Sequence, residues 1–164
     1  MFNLRADCKR CCGLCCVVPE HLALQGFRSD KPAEKPCAQL DGRHRCRIHA
    51  ARHAHGYMAC AGFDCFGAGQ WITNTLFEGA HWTDSADCAQ RMFAAYRHWL
   101  PRFEAAALLE AAIPYVREDS RSLLAALMAA MLNQTNGAHS GASDAMRLRR
   151  EALSVIRAAL PLSK

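Results

Sequence analysis

The sequence predicts a mainly α protein in which an irregular, loop-rich cysteine module packs on a small antiparallel helical bundle. Three observations lead there. Nine of the ten cysteines fall between Cys8 and Cys65, and only Cys88 lies beyond them. The later half is rich in alanine and leucine, with apolar residues repeating at the 3.6-residue helical period. No alternating run is long enough to read as a strand. The composition shift divides the chain into residues 1–70, the cysteine module, and residues 71–164, the bundle, which together can form one compact domain.

Taken in order, the first feature is "CKRCCGLCC" at residues 8–16, with Cys8, Cys11, Cys12, Cys15 and Cys16 in nine positions. "SDKPAEKPC" follows. Pro32 and Pro36 each lack a backbone donor and turn the preceding residue away from helix, so an extended arm leading to Cys37 is expected. "RIHAARHAHG" fits a short helix ending at Gly56. "FDCFGAGQ" carries Gly67 and Gly69 and reads as a turn that lets backbone approach something closely.

The second half is expected to be helical throughout. Asp84 or Ser85 caps a helix whose inward face is Ala89, Met92, Phe93, Tyr96, Leu100 and Phe103. Pro101 interrupts that face, so it either kinks one helix or begins another. Asp119 or Ser120 caps the next helix, with Leu123, Leu124, Leu127, Met128, Met131 and Leu132 as its buried stripe. Asn136, Gly137 and Gly141 break it. Ser143 caps the last helix. Leu148, Ala152, Val155, Ile156 and Ala159 face inward there, and Arg147, Arg149, Arg150 and Arg157 mostly outward.

At 164 residues and a formal charge of +5, the chain permits an anionic partner without requiring one. No run of eighteen apolar residues is present, which argues against a membrane span. The opening "MFNLRADCKRCC" has no apolar h-region of a secretory signal, so a cytoplasmic, reducing setting is expected. There dense cysteine points to metal more than to disulfides.

Thiolate is a soft ligand suited to zinc and to iron–sulfur clusters. Cys12-x-x-Cys15 lets two sulfurs converge around Gly13, and Cys8-x-x-Cys11 makes a second such pair. Adjacent cysteines such as Cys15 and Cys16 point apart, so their doubling implies two centres, or one ligand with a supporting neighbour. Cys37, Cys46, Cys60 and Cys65 would be gathered by folding. Cys88, on a helix, reads as a small buried residue.

Other chemistry is weaker. A nucleophile would need one thiolate with a base such as His44, His53 or His55, amid many competing sulfurs. With His49, these histidines could enter a mixed zinc site, but the cluster reads more simply as a basic surface. Arg43, Arg45, Arg47 and Arg52 could meet phosphate; without aromatic interleaving or a helix-turn-helix, nucleic acid is not an expected partner. "FGAGQ" lacks the Lys and Ser/Thr of a phosphate loop.

"CCGLCC", "CAQL", "CRIH", Arg52 and "CAGFDC" stand in the order seen in the bacterial CxxCxxCC cysteine-cluster proteins, which this chain resembles over roughly residues 8 to 70. "DCFGAGQ" also resembles modules that precede pentapeptide repeats, which are absent here. The CxxCxxCC family is described as a zinc- or iron-chelating domain and is often labelled iron–sulfur. The resemblance implies metal binding by Cys12, Cys15, Cys16, Cys37, Cys46, Cys60 and Cys65, with Cys8 or Cys11 as a first ligand. Cys8 is one residue further from Cys12 than the family spacing, and Cys11 is additional. His49 stands where tyrosine is commoner and is expected to pack rather than ligate. The expected cofactor is an iron–sulfur cluster, in the [4Fe–4S] form, for electron transfer, sensing or structure. The alternative is Zn²⁺ stabilising a module that docks with a protein partner.

Overall fold

The computed structural model describes residues 2–133 and 142–160. The fold is mainly helical. Among the described residues, extended pairing is limited to two isolated antiparallel bridges, His21 with Lys31 and Leu40 with Cys46. The chain divides into two compact units, Arg5–Tyr96, and Met1–Leu4 with Arg97–Lys164. That division falls well beyond the composition shift near residue 70. The reason lies in Gln70, Thr73, Asn74 and Trp82, whose side chains are all bonded to the cysteine-bearing segments.

The unit Arg5–Tyr96 is built from short turns. They include α1 (Leu14–Val17), α2 (Met58–Ala61) and α3 (Ala68–Trp71), the last continuing as a π turn over Ile72–Leu76. Helix α4 (Ala86–Ala112) begins in it. Leu14, Val17, Ile72 and Met92 are wholly buried and form its small apolar centre. Ser85 is the cap expected for α4, its Oγ accepting the Cys88 amide at 3.0 Å.

Two loop expectations are corrected. "SDKPAEKPC" is not an extended arm: Lys31 pairs with His21, Glu34 has φ 61°, and the Glu34 amide returns to the Val18 carbonyl at 3.2 Å. The chain curls because the Lys31 ammonium gathers carbonyls from both sides of it. "RIHAARHAHG" forms a single 3-10 turn, His49–Ala51, followed by turns. His49 is exposed and does not pack.

In the other unit, the later part of α4, α5 (Glu118–Asn133) and α6 (Ala142–Ala159) share one core. Ala105, Leu109, Leu124, Met131, Leu148 and Ala152 are at its heart. Pro101 lies inside an unbroken α4. A proline there has no N–H to donate to the carbonyl four residues back, and the helix nonetheless runs on through Ala112. Phe2 packs edge-on against Phe103, with ring centroids 5.8 Å apart.

Leu123, expected in the buried stripe, is 61% exposed, whereas Leu124 is fully buried. Neighbours on a helix diverge by about 100°, so a two-wide stripe cannot keep both sides against a narrow core. α5 begins at Glu118, so Asp119 and Ser120 sit in its first turn, with two acidic residues suitably near the positive helix end. α6 follows the expected face, with Leu148, Ala152 and Ala159 buried and Val155 and Ile156 half-buried. The break at Asn136, Gly137 and Gly141 lies outside the described residues, as does the side chain of Ser143.

Candidate metal centre

Gly13 shapes the first cysteine segment. Its φ is 75°, a left-handed value costly to other residues, and a Cβ there would fall 2.8 Å from Leu40 Cδ1 and 3.0 Å from the His44 carbonyl. The "CCGLCC" backbone therefore lies directly on the Leu40–Cys46 hairpin. Asp41 organises that hairpin: its Oδ1 accepts the amides of Arg43 at 2.9 Å and Arg45 at 2.8 Å. Those amides, Arg45's foremost, hold the Asp41 carboxyl below its ordinary range.

The segments are then tied together by side chains donating to backbone carbonyls. Arg45 bonds the Cys8 carbonyl and Arg47 the Ala38 carbonyl, so two of the four arginines considered for phosphate contact brace cysteine loops. Asn74 reaches the Arg10 carbonyl, and Trp82 Nε1 the Cys12 carbonyl at 2.9 Å. The buried Lys31 ammonium meets the carbonyls of Val17 (3.1 Å), Pro19 (2.6 Å), Pro32 (2.9 Å) and Lys35 (2.8 Å). His21 stacks on Phe27 at 4.1 Å and bonds the Cys15 carbonyl. Sequence reasoning missed these braces. Their sole trace is a set of polar residues at positions without periodicity.

Within this frame the sulfurs fall into distinct surroundings. Cys11 Sγ and Cys65 Sγ both lie against Gly69, where a Cβ would be 2.7 Å from the first and 3.8 Å from the second. That bears out the close backbone approach expected of "FDCFGAGQ", made at Gly69 within α3. Cys8, exposed, is within electrostatic reach of Cys15 and Cys65. Cys37 and Cys46 are joined through the hairpin, whose Leu40 amide bonds the Cys37 carbonyl at 2.9 Å, and Cys60 on α2 feels both. The Cys37 amide donates to the Cys16 carbonyl at 2.9 Å. Cys15 is common to both neighbourhoods: it is felt by Cys8, Cys11 and Cys65, and by Cys46 and Cys60.

Cys12 stands apart from the pair it was expected to make with Cys15. It is 1% exposed, with its sulfur 3.3 Å from Thr73 Oγ1 and 3.4 Å from Met92 Sδ. Cys88 is buried as expected, its thiol donating to the His81 carbonyl at 3.3 Å.

Backbone amides point at several of the sulfurs. Cys11 accepts from Leu14 and Gly13, Cys65 from Gly69 and Gly67, and Cys46 from Ile48. The Gln39 amide meets Cys37 Sγ at 3.4 Å. Such donors favour thiolate. Without a cation they are outweighed: burial pushes the Cys11 thiol up to about 12. Burial, then the neighbouring Cys15, pushes Cys60 to about 11. Cys15 is raised well above its ordinary value, first by its hydrogen bond with Cys16 and then by burial. Arg52 opposes these shifts at Cys8, Cys15, Cys46 and Cys60.

Among the described residues, no three His, Cys, Asp or Glu side chains stand close enough to hold a metal ion in their present positions. No helix among them is long and apolar enough to cross a membrane.

These observations define a cysteine-rich, mainly α protein whose sulfurs line a loop module braced by polar side chains. It is similar to an uncharacterized protein, YybG, of Bacillus subtilis (strain 168), at 36% identity over 95 residues, covering 58% of this chain and 34% of the relative. It is also similar to the UPF0153 protein YeiW of Escherichia coli (strain K12), at 42% identity over 43 residues, covering 26% of this chain and 51% of the relative. The chain thus spans about a third and about half of the length of these two curated relatives. No protein-family profile matches it, and no solved structure does.

Proposed function

We propose that this chain is a metal-binding protein whose centre is held by cysteine thiolates of the Arg5–Tyr96 unit. The observation that carries the reading is the all-cysteine lining of the braced loops: the Cys11 and Cys65 sulfurs share the space over Gly69, backbone amides face Cys11, Cys46 and Cys65, and the Gln39 amide meets Cys37 Sγ at 3.4 Å. The donor set fits. It is all sulfur, it has amide donors that favour thiolate, and Gly69 leaves open the space a side chain would take from Cys11 and Cys65. A cation would offset the burial that now keeps these thiols neutral, so binding releases protons.

An iron–sulfur cluster would supply electron transfer or sensing, and zinc would supply stability to a loop module that presents a surface to a protein partner. Both draw on the same sulfurs. The chain's own residues hold the segments in register, through Lys31, Arg45 and Arg47, and supply counter-charge through Arg52. Purification without oxygen, followed by metal and sulfide analysis, tests the proposal. Iron with acid-labile sulfide and a broad visible absorption marks the cluster; stoichiometric zinc in a colourless chain marks the second form. A chain that takes up neither, and stays folded when Cys15 and Cys65 are replaced by serine, refutes both.

A further inference from the structure

Helix α6 carries apolar residues on more than the face it buries. Leu148, Ala152 and Ala159 enter the core shared with α4 and α5, which accounts for the inward side. Outside that core Met146 is 63% exposed, Leu153 36% and Leu160 37%. These three recur at every seventh residue, about two helical turns, so they form one line along the helix rather than scattered exceptions.

Arg149, Arg150 and Arg157 are exposed beside that line. With Met146, Leu153 and Ser154 they line one open groove, in which no acidic residue takes part. Arg149 lies within electrostatic reach of Glu104 on α4, whereas Arg150 and Arg157 make no ion pair among the described residues. The nearest acid along α6, Glu151, is held by Arg147 at 3.6 Å. The groove is therefore apolar along its middle and cationic at its sides.

That pattern selects its occupant. A second copy would set like charges together. Paired antiparallel about Leu153, Arg149 of one copy would meet Arg157 of the other; paired in parallel, each arginine would meet itself. The stretches flanking α6, residues 134–141 and 161–164, contain no acidic residue to complement the arginines. A lipid surface is met by a broad apolar face, and here the broad face is spent on the core. A narrow apolar line with cations beside it matches a helix whose own apolar line is bordered by carboxylates. We propose that the outer face of α6 docks an acidic amphipathic helix of another protein, with apolar side chains on Met146, Leu153 and Leu160 and carboxylates on Arg149, Arg150 and Arg157.

The surface belongs wholly to the Arg97–Lys164 unit, so the inference stands apart from metal binding in the cysteine loops. The full chain is titrated against labelled synthetic helical peptides with leucine at every seventh position and glutamate on both sides, in several registers, and fluorescence anisotropy is followed. At least one register is expected to bind, and to weaken steeply with added salt. Leu153→Gln is expected to weaken it about tenfold, and Arg150→Glu with Arg157→Glu at least about tenfold. Peptides with lysine in place of glutamate should bind that double variant and not the unaltered chain. Circular dichroism checks that the helices survive. The salt dependence and the lysine control are read on the unaltered chain, so a variant that fails to fold does not remove the test. No binding in any register, or binding indifferent to salt and to these substitutions, overturns the proposal. Binding to vesicles of phosphatidylserine and phosphatidylcholine but to no peptide overturns it in favour of a lipid surface. A dimer in sedimentation equilibrium that Leu153→Gln dissociates overturns it in favour of a second copy.

Discussion

Replacing Lys31 by methionine tests whether polar braces hold the cysteine module together. The ammonium has three protons and four carbonyl neighbours, between 2.6 and 3.1 Å away. A hydrogen bond to a charged group contributes about 1.5–3 kcal/mol. Removing the charge also removes its own desolvation cost, roughly several kcal/mol, so the losses do not simply add. What remains is the set of orphaned acceptors. The Val17 carbonyl is bonded in buried surroundings, and leaving it unpaired costs about 1–3 kcal/mol. The carbonyls of Pro19, Pro32 and Lys35 are part-buried, and water can reach them. The expected loss for Lys31→Met is therefore about 2–3 kcal/mol. Lys31→Arg should not rescue it, because a planar guanidinium cannot converge on four carbonyls as a compact ammonium does. Urea unfolding of the as-purified, reduced chain, followed by tryptophan fluorescence and circular dichroism, measures the change. A Lys31→Met midpoint within about 0.5 kcal/mol of the unaltered chain would show that the carbonyls find other partners and that Lys31 braces nothing.

Two further outcomes follow from the same frame. Gly13→Ala combines a left-handed φ with contacts at 2.8 and 3.0 Å, so a loss of about 1–3 kcal/mol in urea unfolding is expected, against almost none for Gly42→Ala, which meets nothing. Burial and the nearby Lys31 lower His21 from 6.5 to about 4. The unfolded chain then binds the extra proton first, so the stability due to a neutral His21 is complete above pH 6.5 and is lost as pH falls towards 4. Between pH 7 and 5 the loss is about 2 kcal/mol, and it should vanish in His21→Gln. An equal slope in that variant would assign the pH dependence to other groups.

Legibility in the sequence followed the kind of information each feature carries. The helices of the Arg97–Lys164 unit were readable because burial repeats with the helical period: Leu148, Ala152 and Ala159 declare a face without reference to anything distant. Leu123 misled because a doubled apolar pair does not say how wide the facing core is. Ser85 and Gly69 were readable for a different reason, since a cap and a close approach each demand a particular residue type. The braces were invisible. A lysine or arginine bonded to backbone carbonyls has acceptors that every residue offers, so neither Lys31 nor Arg47 leaves a partner signature along the chain.

The doubled cysteines show where residue type and position part company. Cys11 and Cys12 are chemically identical neighbours, yet Cys11 Sγ lies against Gly69 and Cys65 while Cys12 Sγ lies between Thr73 and Met92. Consecutive side chains in non-helical backbone leave on opposite sides, so one sulfur of such a pair faces the cysteine loops and the other the apolar interior. Cys15 and Cys16 lie within α1 instead, where neighbours diverge by only about 100°, and their sulfurs remain within hydrogen-bond reach. The two doublets therefore differ in kind: the first divides a thiol beside Gly69 from a thiol of the apolar core, and the second keeps its two sulfurs together. Counting sulfurs along "CKRCCGLCC" treats all five alike. Tracing the backbone on which each sits separates Cys12, held between Thr73 and Met92, from Cys11 beside Gly69 and Cys65.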